Sequence, residues 1–257
     1  MKKFMRDLLV SDNILLNEQY FLLKLKGSDE LPEILPGQFA EVRVDDSPST
    51  FLRRPISICY VDFKLNELWL LIQIVGAGTM KLSKLRPGDS LNLIFPLGNS
   101  FTLPVSKDSE VLLVGGGVGI APLLIWGAHL TQLGYQCSFL LGGRSASNLL
   151  LLEEFSKYGK IYTTTEDGSS GEKGYVTQHS ILASATNFQG LYTCGPTPMM
   201  KALASYALKR NIFCEVSLEN TMACGFGACL CCVTDTTEGN VCVCTEGPVF
   251  NITKLKW

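Results

Sequence analysis

Histidine is nearly missing from this chain, basic residues are never massed, and no long apolar run survives uninterrupted. The 257 residues include 2 histidines, His129 and His179. One lies in an apolar stretch and the other in a polar loop, so both read as structural, and little is left to act as a base on a substrate. Lys and Arg number 22 against 24 Asp and Glu, a net charge of −2. Beyond Met1-Lys2-Lys3 there is no basic block, which excludes nucleic acid as a partner. Met1-Lys2-Lys3-Phe4-Met5-Arg6-Asp7 lacks the apolar core of a signal peptide, so the reducing cytoplasm is the expected compartment. Residues 111–143 carry no Asp, Glu, Lys or Arg, a length that would span a bilayer. Gly115, Gly116, Gly117 and Gly119 interrupt that stretch and Pro122 follows, so a strand, a glycine turn and a new helix are expected instead of a membrane segment. Repeats and low-complexity linkers are absent. Hydrophobic residues make up 46% and charged residues 18%, a balance that excludes general disorder.

What is abundant is cysteine, and its placement is uneven. Of 10 cysteines, Cys59, Cys137, Cys194 and Cys214 are scattered, while Cys224, Cys229, Cys231, Cys232, Cys242 and Cys244 crowd the C-terminal end. In a reducing compartment such crowding points to metal before disulfides.

Three textures follow one another along the chain. Residues 1–105 show short apolar or alternating runs (Tyr20–Leu25, Phe39–Val44, Leu68–Ile74, Ser90–Phe95) between Pro-Gly, Asp-Asp and Pro-Leu-Gly turns, predicting a small β-barrel or sandwich. Residues 106–215 alternate strand, glycine loop and helix: Val111–Val114, Ala121–Leu133, Cys137–Leu141, a helix near Leu149–Phe155, Lys201–Lys209 and Phe213–Leu218. That order predicts a parallel α/β sheet. Residues 216–257 are rich in Gly and Cys and too poor in large apolar residues to bury a core, so something bound must organise them.

Cys224-Gly-Phe-Gly-Ala-Cys229-Leu-Cys-Cys232 contains C-x4-C-x2-C, the spacing of plant-type [2Fe–2S] ligation. Gly225 and Gly227 allow positive φ and so let backbone amides turn toward an anionic cluster. Cys231 does not fit the third position. The fourth position is open between Cys242 and Cys244 on spacing alone. A structural zinc site, which prefers paired C-x2–4-C knuckles, is the competing reading.

Upstream, Arg54-Pro55-Ile56-Ser57 offers a guanidinium fork suited to a pyrophosphate and, three residues on, a hydroxyl within reach of a ring edge. Gln73-Ile-Val-Gly-Ala-Gly78-Thr79 ends a strand and opens a short helix, Met80–Leu85, another phosphate-type element. Two such elements in one β domain favour a flavin dinucleotide. Gly115-Gly116-Gly117-Val118-Gly119-Ile-Ala-Pro122 lies between strand and helix, where α/β sheets place pyrophosphates, although Ile120 breaks G-x-G-x-x-G. Gly142-Gly143-Arg144-Ser145 and Cys194-Gly195-Pro196-Thr-Pro-Met199 end later strands on the same ligand side.

In this order the motifs resemble the ferredoxin–NADP reductase superfamily, which implies a flavin-binding β-barrel followed by an α/β nicotinamide-dinucleotide-binding domain. The tail, Met222-Ala-Cys-Gly-x-Gly-Ala-Cys-x-x-Cys and Cys244-x-x-Gly-Pro-Val-Phe250, adds a small C-terminal iron–sulfur segment. It narrows the resemblance to the electron-transfer subunits of NAD-linked, class 1B dihydroorotate dehydrogenases. That resemblance implies FAD on Arg54, Pro55, Ile56, Ser57, Leu71, Ile72, Gln73, Gly78 and Thr79. It implies NAD(H) between Gly115, Gly116, Gly117, Gly119, Pro122 and Cys194, Gly195, Pro196, with NAD preferred over NADP on the resemblance alone. The [2Fe–2S] cluster would sit on Cys224, Cys229, Cys232 and Cys244, leaving Cys231 and Cys242 as bystanders. Also implied are an FMN-containing catalytic partner, a heterotetramer of two of each chain, and a place in pyrimidine biosynthesis. Thr221 and Glu246 depart from the basic residue and the Asp expected there, and Cys231 is an extra thiol. The alternatives are the small subunit of a ferredoxin-linked, possibly flavin-bifurcating, NAD(P) oxidoreductase, and a non-catalytic binding protein with a structural zinc tail.

Overall fold

The computed structural model describes residues 2–45, 47, 49–107, 110–184 and 188–257. Two compact units emerge: residues 1–100 with 219–248, and residues 101–218 with 249–257.

The first unit is built on a closed six-stranded antiparallel barrel in the order β1-β2-β5-β4-β3-β6. Its strands are β1 (Phe4–Asn17), β2 (Tyr20–Lys26), β3 (Phe39–Val42), β4 (Arg54–Asp62), β5 (Glu67–Gln73) and β6 (Ser90–Leu97), with helix α1 (Ala77–Leu82) between β5 and β6. Alternation decides which side chains go in. Leu8 and Val10 of β1 are buried at 1% and 2%, while their neighbour Leu9 is 52% exposed, the period-2 signature of a half-buried strand.

The second unit begins with β7 (Val111–Gly116), α2 (Ala121–Gln132), β8 (Cys137–Gly143), α3 (Leu152–Ser156) and β9 (Lys160–Thr165). It continues with β10 (Glu172–Lys173), β11 (Gly190–Cys194), α4 (Thr197–Lys209) and β12 (Phe213–Ser217). The charge-free stretch is now explained: it makes β7, α2 and β8, and Leu112, Leu113, Leu123 and Phe139 are all 0% exposed. Parallel strands covered on both faces read as continuous apolar runs. Among the described residues no helix is long and apolar enough to cross a membrane. Residues just after 100 join this unit because Phe101 stacks on Trp126 and meets Tyr192 edge-on, at 5.5 and 5.6 Å.

The C-terminal end is divided between the two units. Hairpin β13 (Val233–Thr236) and β14 (Gly239–Cys242), with helix α5 (Val243–Glu246), belongs to the barrel unit, whereas β15 (Val249–Asn251) adds an antiparallel edge to the α/β sheet beside β12. The sequence texture sets this end apart as one piece. The structure separates it because Val249, Phe250 and Ile252 have an apolar place to go, all under 9% exposed.

Candidate functional site

In the barrel unit, β4 and β5 pair over Ile58–Asp62 and Glu67–Leu70, with Ile58 opposite Leu70. Continuing that register would set Ser57 against Leu71, Ile56 against Ile72 and Pro55 against Gln73, but the ladder stops. Instead Arg54–Ser57 pair on their other edge with β3, and Leu71–Gln73 on theirs with β2. The two strands therefore part and leave a slot whose backbone edges lack a neighbour, and polar edges of this kind need a partner. Pro55 fits one wall because it has no N–H to leave unpaired. All seven residues singled out on these two strands line this parting.

Two adjacent arginines have different duties. Arg53 donates to the carbonyls of Glu41 and Asn92, both at 3.2 Å, and to Asn92 Oδ1 at 2.5 Å. Arg54 has no carboxylate within ion-pairing distance among the described residues. It stands beside α1: a Cβ at Gly78 would lie 3.1 Å from Arg54 Nε and 3.2 Å from Thr50 Cγ2. Glycine thus lets α1 close onto that guanidinium. Thr79 shapes the turn itself, since its hydroxyl accepts the Val75 and Gly76 N–H groups at 2.9 and 3.3 Å and donates to the Gly76 carbonyl. The parted strands, a guanidinium with no described carboxylate beside it and the close helix fit a flavin dinucleotide.

The cysteine segment lies on the same unit. Asn99 N–H donates to the Gly247 carbonyl at 2.6 Å, and Asn99 Nδ2 donates to the Glu246 carbonyl at 2.8 Å. Glu246 therefore serves through its backbone. Gly225 has φ +75°, and a Cβ there would come 2.6 Å from Glu41 Cγ and 3.0 Å from Leu97 Cδ1, so only glycine permits both the turn and the approach to β3 and β6. The loop then points amides at sulfur. Burial opposes ionisation of Cys224, but hydrogen bonds from the Phe226, Cys229 and Ala228 backbone and the Cys229 side chain hold its pKa down at about 6. Cys229 Sγ accepts from Cys231 N–H at 3.5 Å, and Cys232 Sγ from Cys244 N–H at 3.4 Å. Cys244 is pushed up to about 12 by burial and by the Cys232 thiol beside it, against a hydrogen bond from Gly227. Bound iron would deprotonate such thiols outright. The sulfurs are not drawn onto one point: among the described residues no three His, Cys, Asp or Glu side chains group as a single metal ion needs, whereas a binuclear cluster takes its thiolates at two irons. The donor set fits a [2Fe–2S] centre.

Sequence reading passed over Glu41. It is 0% exposed on β3, and neither carboxylate oxygen has a hydrogen-bond partner. It faces Pro55 across the β3–β4 ladder and meets Gly225 of the cysteine loop, so it stands between the slot and the cluster ligands. Burial, opposed by Arg53 and aided by Cys224, raises its pKa to about 7. One charged residue within the apolar run Phe39-Ala-Glu-Val was the available signal.

In the second unit the sheet order is β10-β9-β8-β7-β11-β12-β15. The chain runs one way from β7 through β8 to β9 and then crosses back to β11, so the switch point lies between β7 and β11, where open α/β sheets bind ligands. Gly115 pairs with Cys194 there. A Cβ at Gly119 would fall 2.5 Å from the Cys194 carbonyl oxygen, and one at Gly116 would fall 2.8 Å from Met199 Sδ. Two bare loops thus meet over the strand ends, with Pro122 buried in the first turn of α2. A dinucleotide's phosphates fit this bare backbone.

Apart from Cys194, which ends β11 beside the glycine loop, the isolated residues have structural settings. Cys59, Cys137, Cys194 and Cys214 are buried, His129 stacks on Trp126 at 5.8 Å, and His179 Nδ1 accepts from Ile181 N–H at 3.1 Å.

Comparison with known proteins agrees with this layout. Residues 219–256 match the iron–sulfur cluster binding domain of dihydroorotate dehydrogenase B, and residues 113–205 match an oxidoreductase NAD-binding domain. The dihydroorotate dehydrogenase B (NAD(+)) electron transfer subunit of Shouchella clausii is 40% identical over 84% of this chain and 85% of its own. That of Geobacillus kaustophilus is 38% identical over 94% of each chain. Among solved structures, an NADH-dependent reduced ferredoxin–NADP oxidoreductase studied for flavin-based electron bifurcation superposes with a TM-score of 0.88, 28% identity and coverage of 97% of this chain and 90% of that one. The cytochrome b5 reductase domain of Ulva prolifera nitrate reductase shares the fold at a TM-score of 0.67 and 16% identity, covering 81% of this chain and 94% of its own. With identities of 36–40% sustained over most of both chains, this chain belongs to the family of dihydroorotate dehydrogenase B (NAD(+)) electron transfer subunits.

Proposed function

We propose that this chain carries electrons between a catalytic partner that oxidises dihydroorotate to orotate and NAD+, in the cytoplasm and in the service of pyrimidine biosynthesis. The observation that carries the reading is the parting of β4 from β5 in the same unit as the amide-lined cysteine loop. Bound FAD would exchange a hydride with NAD and single electrons with a [2Fe–2S] cluster, converting two-electron into one-electron traffic.

The chain's own residues bind and align. Arg54 offers its guanidinium to the pyrophosphate, and Gly78 keeps α1 close enough to share that contact. Ser57, Ile56 and Pro55 on one wall and Leu71, Ile72 and Gln73 on the other hold the ring system in the slot, with Thr79 fixing the turn that follows. Gly115, Gly116, Gly117 and Gly119, with Pro122, and Cys194, Gly195 and Pro196 opposite, cradle the nicotinamide dinucleotide. Cys224, Cys229, Cys232 and Cys244 ligate the cluster. Phe226 and Leu230 beside them are 51% and 64% exposed, apolar surface of the kind a partner covers. That partner is an FMN-containing subunit, in a heterotetramer of two copies of each chain. With both histidines engaged structurally, this chain is not expected to touch dihydroorotate.

Assay of the isolated chain tests the reading. With NADH it should reduce artificial acceptors and leave orotate untouched; turnover of orotate without a partner would sink it. The likeness to the bifurcating enzyme keeps one second reading, the small subunit of a ferredoxin-linked oxidoreductase. Copurification separates them: an FMN-containing barrel enzyme supports the first, a two-flavin iron–sulfur reductase the second. A colourless, zinc-containing protein would defeat both.

A further inference from the structure

Cys242 belongs to no ligand set assigned so far, and its position is not that of a bystander. It ends β14, directly opposite Val233, the residue after Cys232. The chain beyond it is fastened to Cys232 twice: Val243 N–H donates to the Cys232 carbonyl at 3.1 Å and Cys244 N–H to Cys232 Sγ at 3.4 Å. The hairpin pairing thus sets Cys242 beside the Cys232–Val233 stretch, with its thiol half-exposed. Cys244, two residues on, has the same neighbour in Cys232. Two thiols, one buried and one half-exposed, therefore approach Cys232 from the same short stretch of chain. Cys231 contrasts with both: it gives its amide to Cys229 Sγ and is itself exposed.

We infer that Cys242 is a reserve ligand, able to take over the fourth iron–sulfur bond from Cys244. The exchange is balanced without any redox partner. The Fe–S bond to Cys244 breaks and its sulfur takes a proton, while Cys242 gives up a proton and forms the new Fe–S bond, with both irons keeping their oxidation states. Half-exposure of Cys242 supplies the solvent route for its proton, and the fastening to Cys232 keeps its backbone in place when Cys244 lets go. The inference rests on the cluster reading of this segment, which the parent protein tests separately: equal iron and acid-labile sulfide support it, and zinc alone ends it.

The inference itself is tested by reconstituting Cys244→Ala with iron and sulfide under anaerobic conditions. The expected product keeps most of the parent's iron and shows shifted visible and EPR spectra, whereas Cys242→Ala/Cys244→Ala and Cys224→Ala bind almost none; FAD content reports folding in each case. A second measurement leaves Cys244 in place and follows iron release to a chelator. Cys242→Ala should start with the parent's spectrum and lose iron several-fold faster, because a transiently opened fourth site is no longer recaptured. Iron in Cys244→Ala as low as in the double variant, or, if that variant does not fold, equal release rates for Cys242→Ala and the parent, overturns the proposal.

Discussion

Residues 101–218 and residues 219–248 are held in shape for opposite reasons. The α/β region buries whole strands of large apolar residues, with Leu112, Leu113, Phe139, Phe155 and Tyr192 at 0% exposure. The cysteine segment buries little beyond Met222, Gly225, Cys232, Thr236, Val243, Cys244, Gly247 and Pro248 and leaves Phe226 and Leu230 to solvent. One region is ordered by the hydrophobic effect, and the proposed dinucleotide site lies on its finished strand ends. The other, with so little apolar burial, is expected to depend on sulfur–metal bonds for its order. A dinucleotide can come and go from the first without loss of structure, which suits an exchangeable substrate; the second suits a permanent electron carrier.

The strongest way to break this contrast is to remove one ligand. Cys232→Ala should abolish iron binding and leave 219–248 open to protease and fast hydrogen exchange, while 101–218 keeps its protection. Full protection of the segment without iron would refute the contrast. The reciprocal change is Phe139→Ala in β8, expected to cost about 3–5 kcal/mol of stability through the cavity it leaves, read by chemical denaturation, with the cluster spectrum intact before unfolding begins. Arg54→Ala addresses the slot. Loss of a charge-assisted contact of about 1.5–3 kcal/mol should weaken FAD retention roughly ten- to hundredfold, measured by flavin release on dilution, with iron content unchanged.

The smallest effect concerns Glu41. Its pKa rises from 4.5 to about 7 on folding, so the folded state binds more protons between those values and stability falls as pH climbs through that window. Glu41→Gln should therefore gain on the parent by about 1–2 kcal/mol between pH 5 and pH 8, seen as a growing difference in melting temperature. A constant difference across that range would show that the carboxyl stays ionised in the folded protein.

Much of the candidate site could be proposed from sequence because glycine, proline and cysteine carry geometry in their identity. Gly225, Gly119 and Gly78 each stand where a Cβ would meet another segment, and the cysteine spacing favoured a [2Fe–2S] cluster over zinc. The parting of β4 from β5 was not legible: it is a failure of pairing between distant strands, and Ile56 or Ile72 would look the same in an unbroken ladder. Strand β1 escaped notice because its charged, alternating opening resembles a tail until Leu8 and Val10 find the barrel interior. Glu41 was hidden by its neighbours, since a single acid in a strand is ordinary until both faces of that strand prove to be covered. The short β15 was obscured by the cysteine-rich texture just before it.

That short strand has a topological consequence. β12 and β15 are neighbours in the sheet, Glu215 lying across from Asn251, so everything from Leu218 to Pro248 is an excursion that leaves and re-enters one edge of the same sheet. The iron-binding piece is in effect a cassette spliced into a hairpin. Excised and replaced by a tight turn, it would leave both strand ends where they are, because Ser217 already pairs with Val249.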